Sequence, residues 1–238
     1  MFSPGRIVLC NLLGMILIAS WLFPNLTFWN ELDDAVFFLT NAWLEDANTL
    51  WVTFVAVTNH RAFDVASLLV LLAIFIWAMR RDTASTPRLL HWGGIGITML
   101  ITAVVLTQGV RLIVPYGHPS PTYAYDDVNL VSQLVEFATK DGSGNSFPGD
   151  HGVNLFLFTA FMWRFAGRQV ALVSLFATLL LSAPRILSGG HWFSDVYFAA
   201  LAINLIAAPW ILFTPLGPRI ANAVTTGLVS VRNRWLAN

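Results

Sequence analysis

Charge is what this chain has least of. Of its 238 residues only 11% are Asp, Glu, Lys or Arg, about half the share of a soluble globular protein. That shortage excludes a soluble enzyme, a disordered chain and a basic nucleic-acid binder. Lys and Arg number 13 and so do Asp and Glu, which leaves no long-range pull toward acidic partners. A lone cysteine, Cys10 in an apolar stretch, cannot form an intrachain disulfide. There is no internal repeat and no low-complexity run, and two matching halves of the transporter kind are missing. What is abundant is apolar: 56% hydrophobic residues, with 10 Trp and 18 Phe of the kind that sit at membrane interfaces. The expectation is an all-α, polytopic membrane protein forming one domain over residues 1–238.

A helix needs roughly 20 mostly apolar residues to cross the hydrocarbon core. Six stretches qualify: Ile7–Phe23, Phe63–Met79, Leu89–Val114, Val153–Phe165, Val170–Leu187 and Trp192–Phe213. The first, behind Arg6, has a secretory signal as its alternative. Its length and the absence of a small-x-small cleavage site favour an uncleaved anchor. Between the first two spans, Pro24–Asn59 interleaves Trp29, Glu31, Asp33, Asp34, Phe37 and Phe38, a pattern of short amphipathic helices at the interface. Six spans put both termini on one side. With that side cytoplasmic, it holds nine basic residues: Arg6, Arg80, Arg81, Arg88, Arg164, Arg168, Arg219, Arg232 and Arg234. The outer side holds four, Arg61, Arg111, Lys140 and Arg185, in accord with the positive-inside rule.

Those four cations have no topological reason to be outside, and ionisable residues at membrane helix ends are costly enough to be functional candidates. They gather with others. Arg111 ends the third span, His118 and Lys140 follow it, and Asp150 and His151 open the fourth. Arg185 closes the fifth, while His191 and Asp195 open the sixth. Within Arg185–Ile–Leu–Ser–Gly–Gly–His191–Trp–Phe–Ser–Asp195, the spacing predicts His191 and Asp195 on one helix face, so that the carboxylate holds one ring nitrogen and frees the other. Ser188, Gly189 and Gly190 let Arg185 fold back toward His191, and a guanidinium beside an imidazole suits an oxyanion. A plain His–Asp pair at a helix start, with a snorkelling arginine, accounts for the same residues. Ser146–Phe–Pro148–Gly149–Asp150–His151–Gly152 reads as a loop entering a helix N-terminus, favourable to an anion, or as an ordinary cap. Arg111–(six residues)–His118–Pro119 alone marks only the end of a span.

Taken in order, the three pieces resemble the type 2 phosphatidic acid phosphatase superfamily of integral membrane enzymes. Its motifs are Lys-x6-Arg-Pro, Pro-Ser-Gly-His and Ser-Arg-x5-His-x3-Asp. Here Arg111 takes the Lys position and His118 the Arg position, with Pro119 kept. The second motif is Pro148–Gly149–Asp150–His151, and the third has Pro184 in place of Ser before Arg185, His191 and Asp195. Thr58–Asn59–His60–Arg61–Ala62–Phe63–Asp64, Thr139–Lys140–Asp141 and Phe161–Met162–Trp163–Arg164 are similar to one bacterial branch. That branch moves a phosphate from undecaprenyl diphosphate to lipid A 1-phosphate at the periplasmic face of the inner membrane.

The resemblance implies His191 as nucleophile, Asp195 as its orienting carboxylate and His151 as proton donor and acceptor. It implies Arg185, Lys140, Arg111 and His118 as phosphate-binding residues, together with Gly149 and Asp150 at the helix entry. Asn59, Arg61 and Asp64 are candidate substrate-binding residues; a local Arg61–Asp64 pair is the simpler account. Undecaprenyl diphosphate and lipid A are the expected lipid partners, with no nucleic acid, no obligatory protein partner and no cofactor or metal. A zinc ion held by His151, His191, Asp150 and Asp195 is the competing chemistry, disfavoured by the crowd of cations beside it. A phosphatase that uses water as acceptor, and a channel or lipid-binding subunit, are the other readings.

Overall fold

In the computed structural model, residues 2–23, 26–45, 47–84, 87–114 and 117–237 are described. Pro24, the expected start of the interfacial stretch, lies outside them. The elements are helical throughout: α1 (Pro4–Leu22), α2 (Phe28–Asn41), α3 (Thr49–Thr58), α4 (Arg61–Arg81), α5 (Arg88–Ile113), α6 (Pro121–Ala124), α7 (Val131–Leu134), α8 (Asp150–Phe165), α9 (Arg168–Leu187), a π-helical turn (Asp195–Ala199) running into α10 (Ala200–Leu212), and α11 (Leu216–Ala237). No strand occurs among the described residues.

Among the described residues five helices are long and apolar enough to cross a membrane: α1, α4, α5, α9 and the π-turn with α10. The expected fourth span, α8, has 16 residues, about 24 Å of helix against roughly 30 Å of hydrocarbon. Its sequence is apolar all round because it runs through the middle of the bundle. Leu157, Phe158, Phe161 and Met162 are buried with Trp92, Ile95 and Val170, while Val153 and Phe156 pack with Leu106, Ala200 and Ile203. Polar side chains tie its backbone to the neighbours: Asn204 Nδ2 donates to the Val153 carbonyl (3.0 Å) and Thr178 Oγ1 to that of Leu155 (3.0 Å).

Close approach sets the rest. A Cβ on Gly152 would lie 2.1 Å from the Val196 carbonyl oxygen, so glycine there lets the start of α8 touch the π-turn. Asn11 on α1 donates to the Leu205 and Ile206 carbonyls of α10 (3.0 and 2.9 Å). Two features depart from expectation. α3 is apolar rather than amphipathic, burying Val52, Val55 and Ala56 with Leu44 and Val131. Residues 216–237, given no role from the sequence, form α11, which lies on α5 where Gly94 meets Ala221 and Thr225.

Because the helices alternate in direction, one end of the bundle collects the start of α4, the end of α5, the start of α8, the end of α9 and the π-turn. The candidate residues stand on these ends. α2 lies over them: Asp33 accepts from the Ser194 backbone N–H (2.7 Å) and from its hydroxyl (2.5 Å), clamping the residue before Asp195. Burial pushes the Asp33 carboxyl up to about 6, against those two hydrogen bonds.

Candidate active site

The loop between α9 and the π-turn places His191. Gly189 has φ +72°, and a Cβ there would meet Thr122 and Phe37, so the turn needs glycine for conformation and for space. The chain then folds back until the His191 N–H reaches the Arg185 carbonyl (3.0 Å). The expected Arg185–His191 approach is therefore made through the backbone, while the guanidinium turns to Asp64, His151 and Asn59.

The expected His191–Asp195 contact is not made. His191 stands in the turn ahead of the helix, so the four-residue helical spacing does not apply to it. Ser146 fills the gap instead. Its carbonyl lies 2.9 Å from His191 Nδ1 and its hydroxyl 3.2 Å. The hydroxyl donates to Asp195 Oδ2 at 2.7 Å, and the Trp192 N–H points at it (3.3 Å). A carbonyl only accepts, so Nδ1 carries the proton and Nε2 keeps its lone pair. Nε2 has no hydrogen-bond partner among the described residues. Burial holds the His191 imidazole below its ordinary value, outweighing the pull of the Ser146 carbonyl and the Asp195 charge.

His191 lines a polar cavity of about 570 Å³ whose wall includes Arg111, Lys140, Asp150, His151 and Arg185. Asp64 gathers three of these. Its Oδ1 accepts from Arg185 Nη2 (2.7 Å) and faces His151 Nε2 (3.1 Å), while Oδ2 accepts from Lys140 Nζ (2.9 Å). Arg185 is buried, and its other nitrogen points at Asn59 Oδ1 (3.4 Å). Asn59, fully buried, spends its amide on the Val55 and Pro184 carbonyls (3.0 and 2.8 Å), and its own carbonyl takes the Lys140 N–H (3.2 Å). It fixes α3, α9 and the Lys140 loop to one another and holds Arg185.

The remaining candidates stand as follows. His118 is not in the cavity wall; its ring stacks on Trp192 (centroids 5.4 Å apart, 5° between planes) and its Nδ1 stands 3.4 Å from Asp195 Oδ2. Gly149 is a packing residue, with Val196 3.3 Å from where a Cβ would be. Asp150 pairs with Arg111 at the cavity rim. Arg61 is exposed and makes no hydrogen bond or ion pair among the described residues, so the local Arg61–Asp64 pair is not formed; Asp64 faces the cavity cations instead. The four zinc candidates are likewise dispersed among these partners, and no group of three or more His, Cys, Asp or Glu in metal-holding geometry occurs among the described residues. Ser146 and Asp33 went unassigned from the sequence. Ser146 opens the segment that leads into the second motif, which was its only signal.

A model of the PAP2 superfamily matches residues 92–216, from α5 through α10, a stretch that holds both cavity histidines. The chain belongs to the PAP2 superfamily. Across 219 residues it is 40% identical to the lipid A 1-diphosphate synthase of Escherichia coli (strain K12), covering 90% of each chain. No solved structure matches it. The superfamily region supplies His191, His151, Arg185, Arg111 and Lys140, whereas Asn59 and Asp64, which hold the cations together, lie upstream of it.

Proposed function

We propose that the protein is a phosphotransferase that moves the distal phosphate of undecaprenyl diphosphate to lipid A 1-phosphate, giving lipid A 1-diphosphate and undecaprenyl phosphate. The observation that carries the reaction class is His191: Nδ1 is committed to the Ser146 carbonyl, and its second nitrogen belongs to a residue of the cavity walled by Arg111, Lys140 and Arg185. The acceptor rests on likeness to a protein named for lipid A 1-diphosphate synthesis.

The steps balance as follows. Nε2 attacks the distal phosphorus, a P–N bond forms, and the P–O bond to undecaprenyl phosphate breaks. His151 protonates the leaving oxygen. A lipid A 1-phosphate oxygen then attacks the phosphohistidine and frees His191, with His151 taking back any proton the acceptor carries. Splitting the transfer in two lowers each barrier, and the guanidinium and ammonium groups neutralise charge on the equatorial oxygens. Asp195 acts through the Ser146 hydroxyl, steadying the positive charge that His191 gains.

The same reading has α8 as a sixth, short span, α2 and α3 as periplasmic interfacial helices, and both termini in the cytoplasm of a bacterial inner-membrane protein. Basic residues support it: Arg80, Arg81, Arg164 and Arg168 stand at the ends of α4, α8 and α9 away from the cavity.

Trapping the intermediate tests the chemistry. Protein incubated with undecaprenyl diphosphate labelled in the distal phosphate is expected to carry acid-labile, base-stable label, and His191→Ala to carry none. Equal labelling of that variant contradicts the assignment of the nucleophile.

A further inference from the structure

The donors that a bound phosphoryl group needs are already occupied by a carboxylate. Arg185 Nη2, Lys140 Nζ and His151 Nε2 all converge on Asp64, at 2.7, 2.9 and 3.1 Å. The third cation of the cavity, Arg111, is paired in the same manner with Asp150. Three cationic side chains of the cavity wall thus face two carboxylates, and both carboxylates are part-exposed. Asn59, by contrast, holds Arg185 from behind with a neutral amide and is fully buried. Positioning by a buried amide and charge compensation by part-exposed carboxylates are therefore done by different residues.

The geometry points to Asp64 as a resident counter-anion: it occupies the phosphate's donors in the empty site and gives up Lys140 and Arg185 when a phosphoryl group enters. This rests on the reading of the cavity as a phosphate site, and it adds what sets the affinity there. A carboxylate cannot itself bind a phosphate, because like charges at hydrogen-bond range oppose each other. Its presence raises the charge an incoming anion needs to win the cations. A diphosphate head group meets that demand better than a monophosphate or free phosphate. The site therefore grips its donor and lets go of phosphate-bearing products, and between turnovers the cations are never left bare.

The sign of one measurement separates this from a purely structural role. Binding of inorganic phosphate to purified protein in phosphate-free detergent, followed by 31P line width, is expected to be weak for wild type and at least about fivefold tighter for Asp64→Asn, since removing a competing anion favours the ligand. Asp64→Ser serves as the second variant, smaller and equally neutral. Thermal unfolding identifies a variant that has lost its fold, and the comparison is read on the one that keeps it. If phosphate binds wild type and binds the neutral variants equally or less well, Asp64 only positions the cations and the proposal is overturned while the phosphate site stands. If phosphate binds none of the three, and Arg185→Gln makes no difference either, the reading of the cavity as an oxyanion site fails and takes the proposal with it.

Discussion

At the scale of single residues the chemistry turns on Ser146, which stands between His191 and Asp195 and touches both. Removing its hydroxyl leaves the carbonyl contact that fixes the His191 tautomer but strands the buried Asp195 carboxylate. Losing a hydrogen bond to a buried charge costs about 1–3 kcal/mol. With each 1.36 kcal/mol worth tenfold in rate, Ser146→Ala is expected to lower kcat about 10- to 100-fold. KM for the lipid donor should stay nearly constant, because the cations of the cavity are untouched. A fall confined to KM contradicts the link. The pH dependence follows from His191 itself. Burial lowers its pKa, so the neutral imidazole persists to lower pH than in a free histidine. Protonation places the new proton on Nε2 and removes the nucleophile. The acidic limb of kcat/KM against pH is therefore expected below the ordinary histidine range, with activity rising as pH rises through it. An acidic limb at or above that range rules out the buried neutral nucleophile.

Neither Ser146 nor the partners of Asp64 could be read from spacing, and the reason is physical. Helical periodicity relates residues within one element, as it does for the apolar faces of α4 and α9. The contacts of His191 come from a turn, a loop and a different helix. Spacing places His191 beside Asp195 by assuming one continuous helix; after the Gly189 turn the helix begins only at Phe193, which leaves His191 outside it. Arg185, Lys140 and His151 are legible because ionisable residues at or next to the ends of apolar helices are costly without a function.

At the scale of elements, α8 and α11 show two different fates of a helix that composition describes poorly. α8 looks like a span with weak boundaries because it is only 16 residues long and mostly buried, its first turn pressed on the π-turn where Gly152 meets Val196. α11 is too polar to look like a span and was invisible for that reason. It is held to the early part of α5 by small residues: a Cβ on Gly94 would stand 2.2 Å from Thr225 Oγ1 and 2.5 Å from the Ala221 carbonyl. Gly94 precedes Arg111 by about 25 Å of helix. Gly94→Leu is accordingly expected to push α11 off α5 at a cost of about 1–3 kcal/mol, the usual range for overpacking. Protease sensitivity within residues 216–237 should rise and the unfolding temperature fall, with turnover staying within about twofold of wild type. A loss of turnover as large as that of Ser146→Ala would mean that α11 supports the site.

For the whole molecule the arrangement of helix ends is the organising fact. Apolar helices set the bundle, their alternation brings five ends together, and the loops between them supply a cavity whose cations are already matched by carboxylates. In the proposed mechanism water and a second lipid compete for the same phosphohistidine, and a lipid anchored in the membrane plane has proximity on its side. The measurement that bears most directly on this is the fate of the distal phosphate. Purified wild-type protein is incubated with distally labelled undecaprenyl diphosphate, with and without lipid A. Label is expected on lipid A when lipid A is present, with free phosphate a minor product, and on neither lipid A nor phosphate with His191→Ala. Release of most of the label as free phosphate while lipid A is present would contradict the account and identify a phosphatase.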